Sequence, residues 1–451
     1  MRYFLIIFLF ACSKSFVPES PKVIQSGEVK VLYIQDEENP LVQATLYIPG
    51  GSLWEQKPGV TELMGALLAT GGVKGLSPQE FERRQKELAA DISSAFGEEY
   101  GTISFSCLAD DFKEVYPLFI SVVTNPTFDP DRFELLKRQS LDAIRRRKDK
   151  PDSIAKITFN SVLYKDSIYG RSLSSKDLEN IVIDDLWNSY TGLISKDDAL
   201  MVVTGNLDTD ELREFLDQLE SQWTNVKPKH LPIPPVSEPK DGIYFVQVDS
   251  KQASVFVGEF SLPRGHEDRF KVEVLNSILG FGGFGSRLMQ SIRAKAGLAY
   301  SVYGGTIPGL TVGTNIIGFQ TKNESVGEAL KLAFMEVNRL KSEPVDQVEL
   351  KRNQDSLINS FVFKFETPET TLARKAAQNM LRVPESFDSM YAKLVPQVTS
   401  EDVLEMANKW WSPESSVIVV VGNDSALSSI RSTFPDLPIF EGRFDEVFYL
   451  K

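Results

Sequence analysis

The sequence predicts an α+β protein of two duplicated halves, each a mostly antiparallel sheet packed with helices, joined by a proline-rich linker into a clamshell. Three observations carry this fold class. At 451 residues the chain exceeds one typical core, and 42% hydrophobic with 25% charged residues fits an ordinary globular protein. An order of two strands, a helix, two strands, several helices, a strand and a helix occurs on both sides of residues 226–241. The halves also close alike: MVVTGNLDTDEL at Met201 and VIVVVGNDSAL at Val417 each read as strand, Gly-Asn turn and helix, which points to an internal duplication.

The chain opens with MRYFLIIFLFAC, one Arg before an apolar run that ends at Cys12. This is too short to span a bilayer but has the layout of a signal segment over residues 1–12. Leu9-Phe10-Ala11-Cys12 resembles a bacterial lipobox, which implies cleavage before Cys12, its lipidation, and a periplasmic chain anchored to a membrane. Residues 13–28 would then be a flexible tether.

The first half, residues 29–225, starts with VKVLYIQ and LVQATLYI, two β-rich runs around the turn-prone DEENP. The loop GGSLWEQKPG leads to GVTELMGALLATGG, an apolar helix closed by paired glycines. Ser77-Pro78 starts a helix to Leu88, and DISSAF and GTISFSCL read as strands. Helices then dominate from Asp111 to Tyr190, with breaks expected at Pro117, Asn125-Pro126 and Lys150-Pro151. A strand at 199–204 and a helix from Thr209 finish the half. The linker, residues 226–241, is rich in proline without an apolar period and reads as extended. Residues 242–451 repeat the order: strands IYFVQV and SVFVGEF, a helix from His266, a glycine-rich turn, a short helix, strands LAYSVYGG and TVGTNIIGF, and four or five helices.

A net charge of −13 argues against a nucleic-acid partner, which needs a concentrated basic footprint. Arg145, Arg146, Arg147 and Lys148 form one basic helical turn, read as a solvated face. Only two cysteines and two histidines occur. Catalytic zinc takes about three protein ligands. His230 falls in the linker and His266 near a helix start, so they form no helical metal pair, and Cys107, inside a strand, reads as a buried small apolar residue.

Residues 279–303, LGFGGFGSRLMQSIRAKAGLAYSVY, hold the candidate site. Helix ends near Ala296, because Gly297 suits the position just past a helix and a β-rich run follows. Arg293 then projects from the helix end and Tyr300 from the strand. A guanidinium beside a phenol suits a carbonyl oxygen, an oxyanion or a carboxylate, although spacing alone also allows a surface Arg and a half-buried Tyr. Gly280, Gly282, Gly283 and Gly285 either give a peptide close access to bare backbone or make a tight turn between helices.

The same stretch resembles the C-terminal signature of the pitrilysin and insulysin family of zinc peptidases, which includes the mitochondrial processing peptidase. The resemblance implies that Arg293 and Tyr300 hold substrate and steady its reacting carbonyl. In that family the helix after the first two strands carries His-x-x-Glu-His, two zinc ligands and the general base. Laid on this chain, the histidine positions are Glu62 and Ala66, the base position is Gly65, and the third-ligand position is Ala143 within LDAIRRRKDKP. The resemblance therefore implies no cofactor in this chain. It implies instead a non-catalytic subunit, not an enzyme on its own, paired with a zinc-bearing paralogue around a chamber for unfolded peptides. Gly282, Gly283 and Gly285 would touch the peptide, and free strand edges could bind it by strand addition. A lipid-anchored peptide-binding or scaffold protein is the alternative. A metal-independent hydrolase would need a nucleophile and base, and neither histidine stands in a suitable context.

Overall fold

A computed structural model describes residues 20–450, apart from residue 166, residues 229–232 and residue 234. The signal segment with Cys12, and His230, lie outside the described residues.

The duplication is visible strand by strand. In the first half β1 (Lys22–Ser26), β2 (Val29–Gln35), β3 (Leu41–Pro49), β4 (Asp91–Phe96), β5 (Tyr100–Leu108) and β6 (Leu200–Gly205) form one sheet in the order β1-β2-β6-β3-β5-β4. In the second half β7 (Gly242–Gln247), β8 (Gln252–Ser261), β9 (Ala299–Ile307), β10 (Gly313–Lys322), β11 (Val417–Gly422), β12 (Ile439–Phe444) and β13 (Phe448–Leu450) follow the order β13-β12-β7-β11-β8-β10-β9. Within both, one parallel pair (β2 with β6, β7 with β11) is followed by three antiparallel ones. The two matched sets end in free edges at β4 and β9.

Three boundaries outside the candidate-site region differ from the sequence expectation. Lys22–Ser26, placed in the tether, pairs antiparallel with β2 through a turn in which Gly27 has φ +55°; only five residues long and mostly exposed, it carries no apolar alternation to betray it. Pro117 does not break its helix, which runs unbroken over Phe112–Thr124. The one backbone donor it lacks is offset by Val115, Tyr116, Phe119 and Ile120, all buried around it. Beyond the last helix, Asp424–Thr433, the chain adds β12 and β13 and so extends the second sheet past the matched set.

Each half covers only one face of its own sheet. On the other face of the second sheet, Tyr244, Val246, Phe256, Val417, Val419 and Val421 receive Ile154, Ala155, Phe159, Val162 and Leu163 from the first half's helix Pro151–Leu163. Reciprocally, Leu32, Ile34, Tyr47, Leu200 and Val202 of the first sheet receive Leu372, Ala376 and Met380 from the second half's helix Pro368–Met380. Gly258 on β8 makes room for this exchange. A Cβ there would lie 2.5 Å from Phe159 Cζ and 2.3 Å from the Asn315 carbonyl oxygen. Polar contacts flank the exchange: Arg264 donates to both oxygens of Glu99 at 3.0 and 2.6 Å, and Ser175 donates its N–H and hydroxyl to Glu446 at 2.8 and 2.5 Å.

One buried carboxyl in the second half sets a pH dependence. Glu259 accepts from the Ser412 N–H at 2.7 Å and the Asn315 amide at 3.3 Å, and burial pushes it up from 4.5 to about 7. The folded state thus holds the proton more tightly than the unfolded chain. This stabilisation is full below pH 4.5, drains away as pH rises, and is gone above about 7. Glu259→Gln is expected to flatten the profile of chemical-denaturation stability between pH 5 and 8 and to add about 2 kcal/mol at pH 8. An unchanged slope would show that Glu259 titrates normally.

Candidate functional site

The helix Val60–Leu68 carries the positions that resemble a metal motif. It starts after Gly59 (φ +88°), and the Glu55 carboxylate caps it, accepting from the Gly59 and Thr61 N–H groups at 2.8 and 3.0 Å. Burial raises the Glu55 pKa, and those two bonds oppose the rise. Spacings of three and four residues put Glu62, Gly65 and Ala66 on one face. Glu62 is exposed, Ala66 half-buried, and both line a cavity of about 570 Å³ with Ser94, Phe96 and Tyr169. Gly65 is buried against β4. A Cβ on it would sit 2.8 Å from Phe96 Cδ2 and 3.1 Å from the Phe96 nitrogen, so Phe96 occupies the space a longer side chain would need. Ser94 ties the same strand to the helix by donating to the Gly65 carbonyl at 2.5 Å.

Ala143, on the helix Pro130–Arg145, is exposed and supplies no lone pair. The residue that approaches Glu62 electrostatically from this side is Arg147, whose guanidinium donates to the Leu173 carbonyl at 2.6 Å. Burial lowers the Arg147 pKa, while Glu62 and Glu446 raise it. The basic turn is thus not wholly the solvated face expected of it: Arg147 is half-buried, and its neighbours Arg145, Arg146 and Lys148 are exposed. One carboxylate beside a guanidinium is a poor donor set for zinc. Among the described residues no three or more His, Cys, Asp or Glu side chains are grouped to hold a metal ion.

Residues 279–303 form a second, better-built constellation. Two π-helical turns, Ser277–Phe281 and Met289–Lys295, flank the glycine turn. The second ends where Gly297 (φ +66°) donates to the Arg293 carbonyl at 3.1 Å and Leu298 donates to that of Ile292 at 2.9 Å. Ile292 is fully buried, which fixes the turn that carries Arg293. On β9 the pairing with β10 slips between Phe319 and Thr321, which leaves Tyr300 and Ser301 opposite Gln320 alone. This bulge turns Tyr300 outward, 84% exposed, at a free sheet edge.

Arg293 lies over the Tyr300 ring at 4.9 Å and over the Phe284 ring at 4.8 Å, so its guanidinium is sandwiched between two exposed aromatic faces. No carboxylate stands within 4.0 Å of it among the described residues. The cation is therefore held in place by stacking, with its donors uncommitted to an acid. Sequence reading missed Phe284. An aromatic set among glycines, in a turn with no core to fill, was the available signal.

The glycines divide by role. Gly280 is buried where a Cβ would lie 2.3 Å from the Gly304 nitrogen, a close helix-to-strand approach. Gly283 takes φ +66° in open space, whereas Gly282 and Gly285 are exposed with ordinary φ. Arg352 and Gln290 pin the turn, donating to the carbonyls of Gly285 at 3.2 Å and Phe284 at 2.6 Å. His266 accepts from the Asp268 N–H and packs edge-on against Trp410, in a turn before the helix Arg269–Asn276, which begins later than expected. Cys107 is buried, and burial pushes its thiol up to about 12, an inert group as expected.

Two family models match this chain: the insulinase model (peptidase family M16) over residues 30–177 and the peptidase M16 inactive domain over residues 180–357. The chain belongs to the M16 peptidase family. The crystal structure of a peptidase M16 inactive domain from Pseudomonas fluorescens is 26% identical, with a TM-score of 0.81 over 89% of this chain and 98% of that one. A Helicobacter pylori protein named non-peptidase homolog YmxG is 26% identical over 310 residues, 67% of this chain and 71% of its own. The periplasmic protease PqqL of Escherichia coli shares the fold at a TM-score of 0.75 and 17% identity, over 91% of this chain and 46% of that longer one. The chain is thus an inactive-type M16 homologue. Among its described residues no helix is long and apolar enough to cross a membrane.

Proposed function

We propose that this chain is the non-catalytic subunit of a two-chain zinc peptidase, which brings Arg293 and Tyr300 to a peptide held against a zinc-bearing M16 partner. The observation that carries this reading is the contrast between its two sites. Phe96 fills the base position of the metal helix, while Arg293 is half-buried, stacked on two exposed rings and free of any acid partner among the described residues. The partner supplies the metal and its water. This chain supplies a guanidinium fork and a phenol O–H, donors suited to a carbonyl oxygen that gains charge during attack. Gly282, Gly283 and Gly285 would let the peptide approach the turn, and the edges at β4 and β9 would extend it by strand addition. Cys12 would anchor the assembly by a lipid to a membrane facing the periplasm.

Peptide cleavage by the purified chain, alone and mixed with a zinc-bearing M16 homologue from the same genome, with and without chelator, tests this reading. Cleavage is expected only in the mixture and is expected to vanish with chelator. Chelator-sensitive cleavage by this chain alone would overturn the assignment of Glu62, Gly65, Ala66 and Ala143 as a lost metal site. Silence in the mixture would move the chain to a lipid-anchored peptide-binding role.

A further inference from the structure

A second cavity, of about 520 Å³, opens between the residue 361–365 turn, the helix Pro368–Met380 and the start of the helix Arg269–Asn276. Four cations line it, and they are unevenly satisfied. Arg264 is neutralised by Glu99, and Arg374 by Asp388, which accepts from its Nε at 3.1 Å. Arg269 donates once, to the Arg264 carbonyl at 2.9 Å, and stacks on Phe387 at 3.8 Å, with no carboxylate within 4.0 Å. Lys364 has neither a hydrogen bond nor an ion pair among the described residues and only distant ring contacts, at 5.7 Å to Phe361 and 5.9 Å to Tyr391.

The remaining acid nearby is Glu273, which interacts with Lys364 and Arg269 but lies beyond ion-pair distance of both. Burial raises its pKa, and Lys364 and Arg269 oppose the rise. Two of the four cations, Arg269 and Lys364, are thus left without a carboxylate at ion-pair distance among the described residues. Its other walls are mostly apolar, with Pro308, Leu381, Val383 and Phe363, the last 67% exposed, beside the polar Thr370 and Gln378. A volume of this size lies within the range of about 300–1,000 Å³ typical of small-ligand sites.

We propose that this cavity binds an organic carboxylate carried on an apolar group, with Lys364 and Arg269 holding the carboxylate and Phe363, Leu381 and Val383 the apolar part. Two sources share this chemistry: the C-terminal residue of a peptide and a free aromatic acid. The site is separate from the Arg293–Tyr300 pair and does not depend on the role given to that pair. Because the helix Pro368–Met380 has its opposite face in the first sheet, and Arg264 pairs with Glu99 of the first half, the ligand would sit against the seam between halves.

The test uses the full chain in fluorescence polarisation with a labelled tripeptide ending in leucine, as free acid and as C-terminal amide, and with benzoate and inorganic phosphate as competitors. The free acid is expected to bind at least ten-fold more tightly than the amide. Lys364→Met, at an exposed position where folding can be confirmed by an unchanged melt, should weaken binding about ten-fold or more, as expected for loss of a charged partner, and Lys364→Arg should largely restore it. Benzoate binding as tightly as the tripeptide would assign the site to a free acid, and weaker binding would assign it to a peptide end. Equal binding of acid and amide, unaltered binding by Lys364→Met, or displacement by phosphate as effective as by benzoate would each overturn the proposal.

Discussion

Arg293→Ala is expected to lower kcat/KM of the mixed peptidase by about 10²–10³, the usual scale for removing one donor from a developing oxyanion. The fork matters as much as the charge, so Arg293→Lys should recover little, and Tyr300→Phe, which deletes one O–H, should lose about ten-fold. Tyr300 is 84% exposed and Arg293 has no acid partner, so thermal stability should stay within about 0.5 kcal/mol of the parent for each. Phe284→Ala removes one face of the sandwich that holds the guanidinium. Its expected signature is a lower kcat, by less than for Arg293→Ala, with little change in KM, since it loosens a donor that acts on the developing oxyanion. Steady-state kinetics on the mixture decides the matter; full activity for Arg293→Ala would reduce the pair to a structural remnant.

The second large effect is on stability. Phe159→Ala should cost about 3–5 kcal/mol, the range for deleting a fully buried aromatic side chain. Phe159 comes from one half, yet its ring stands against Phe256 of the other at 5.8 Å and fills the space over Gly258. The loss should therefore appear as uncoupling of the halves. Urea unfolding followed by tryptophan fluorescence is expected to change from one transition to two. A single transition merely shifted to lower denaturant would place the coupling in the helix Pro368–Met380 or in the Arg264–Glu99 pair instead.

Much of the fold was legible because it is written in local chemistry. Gly297 stops its helix by the left-handed backbone it accepts, and the strands around DISSAF and VIVVVG carry a β pattern strong enough to read directly. The exchange of helices was not legible. Ile154, Phe159 and Leu163 show the same helical spacing whichever sheet they cover, because periodicity records that a face is apolar and not what it meets. Pro117 was misread for a related reason: propensity is a local quantity, and buried neighbours overrode it. At the candidate site, Arg293 and Tyr300 were singled out by type and order, and the fold brings them into contact, whereas Phe284 and Arg147 gain their meaning only from rings and carbonyls brought near by the fold. Phe96 could not be suspected of filling space over Gly65, since 31 residues and a second strand register separate them before folding.

The crossed helices also set the timetable of synthesis. When residue 222 closes the last helix of the first half, Leu32, Ile34, Tyr47, Leu200 and Val202 still lack the Leu372, Ala376 and Met380 that shelter them. The ribosome must add some 150 residues more, roughly eight to thirty seconds at about 5–20 residues per second, before that apolar face is covered. The nascent first half is thus a natural client for holding chaperones. A gene split at the proline-rich linker would yield two products, each with a sticky sheet, that become soluble only by finding one another.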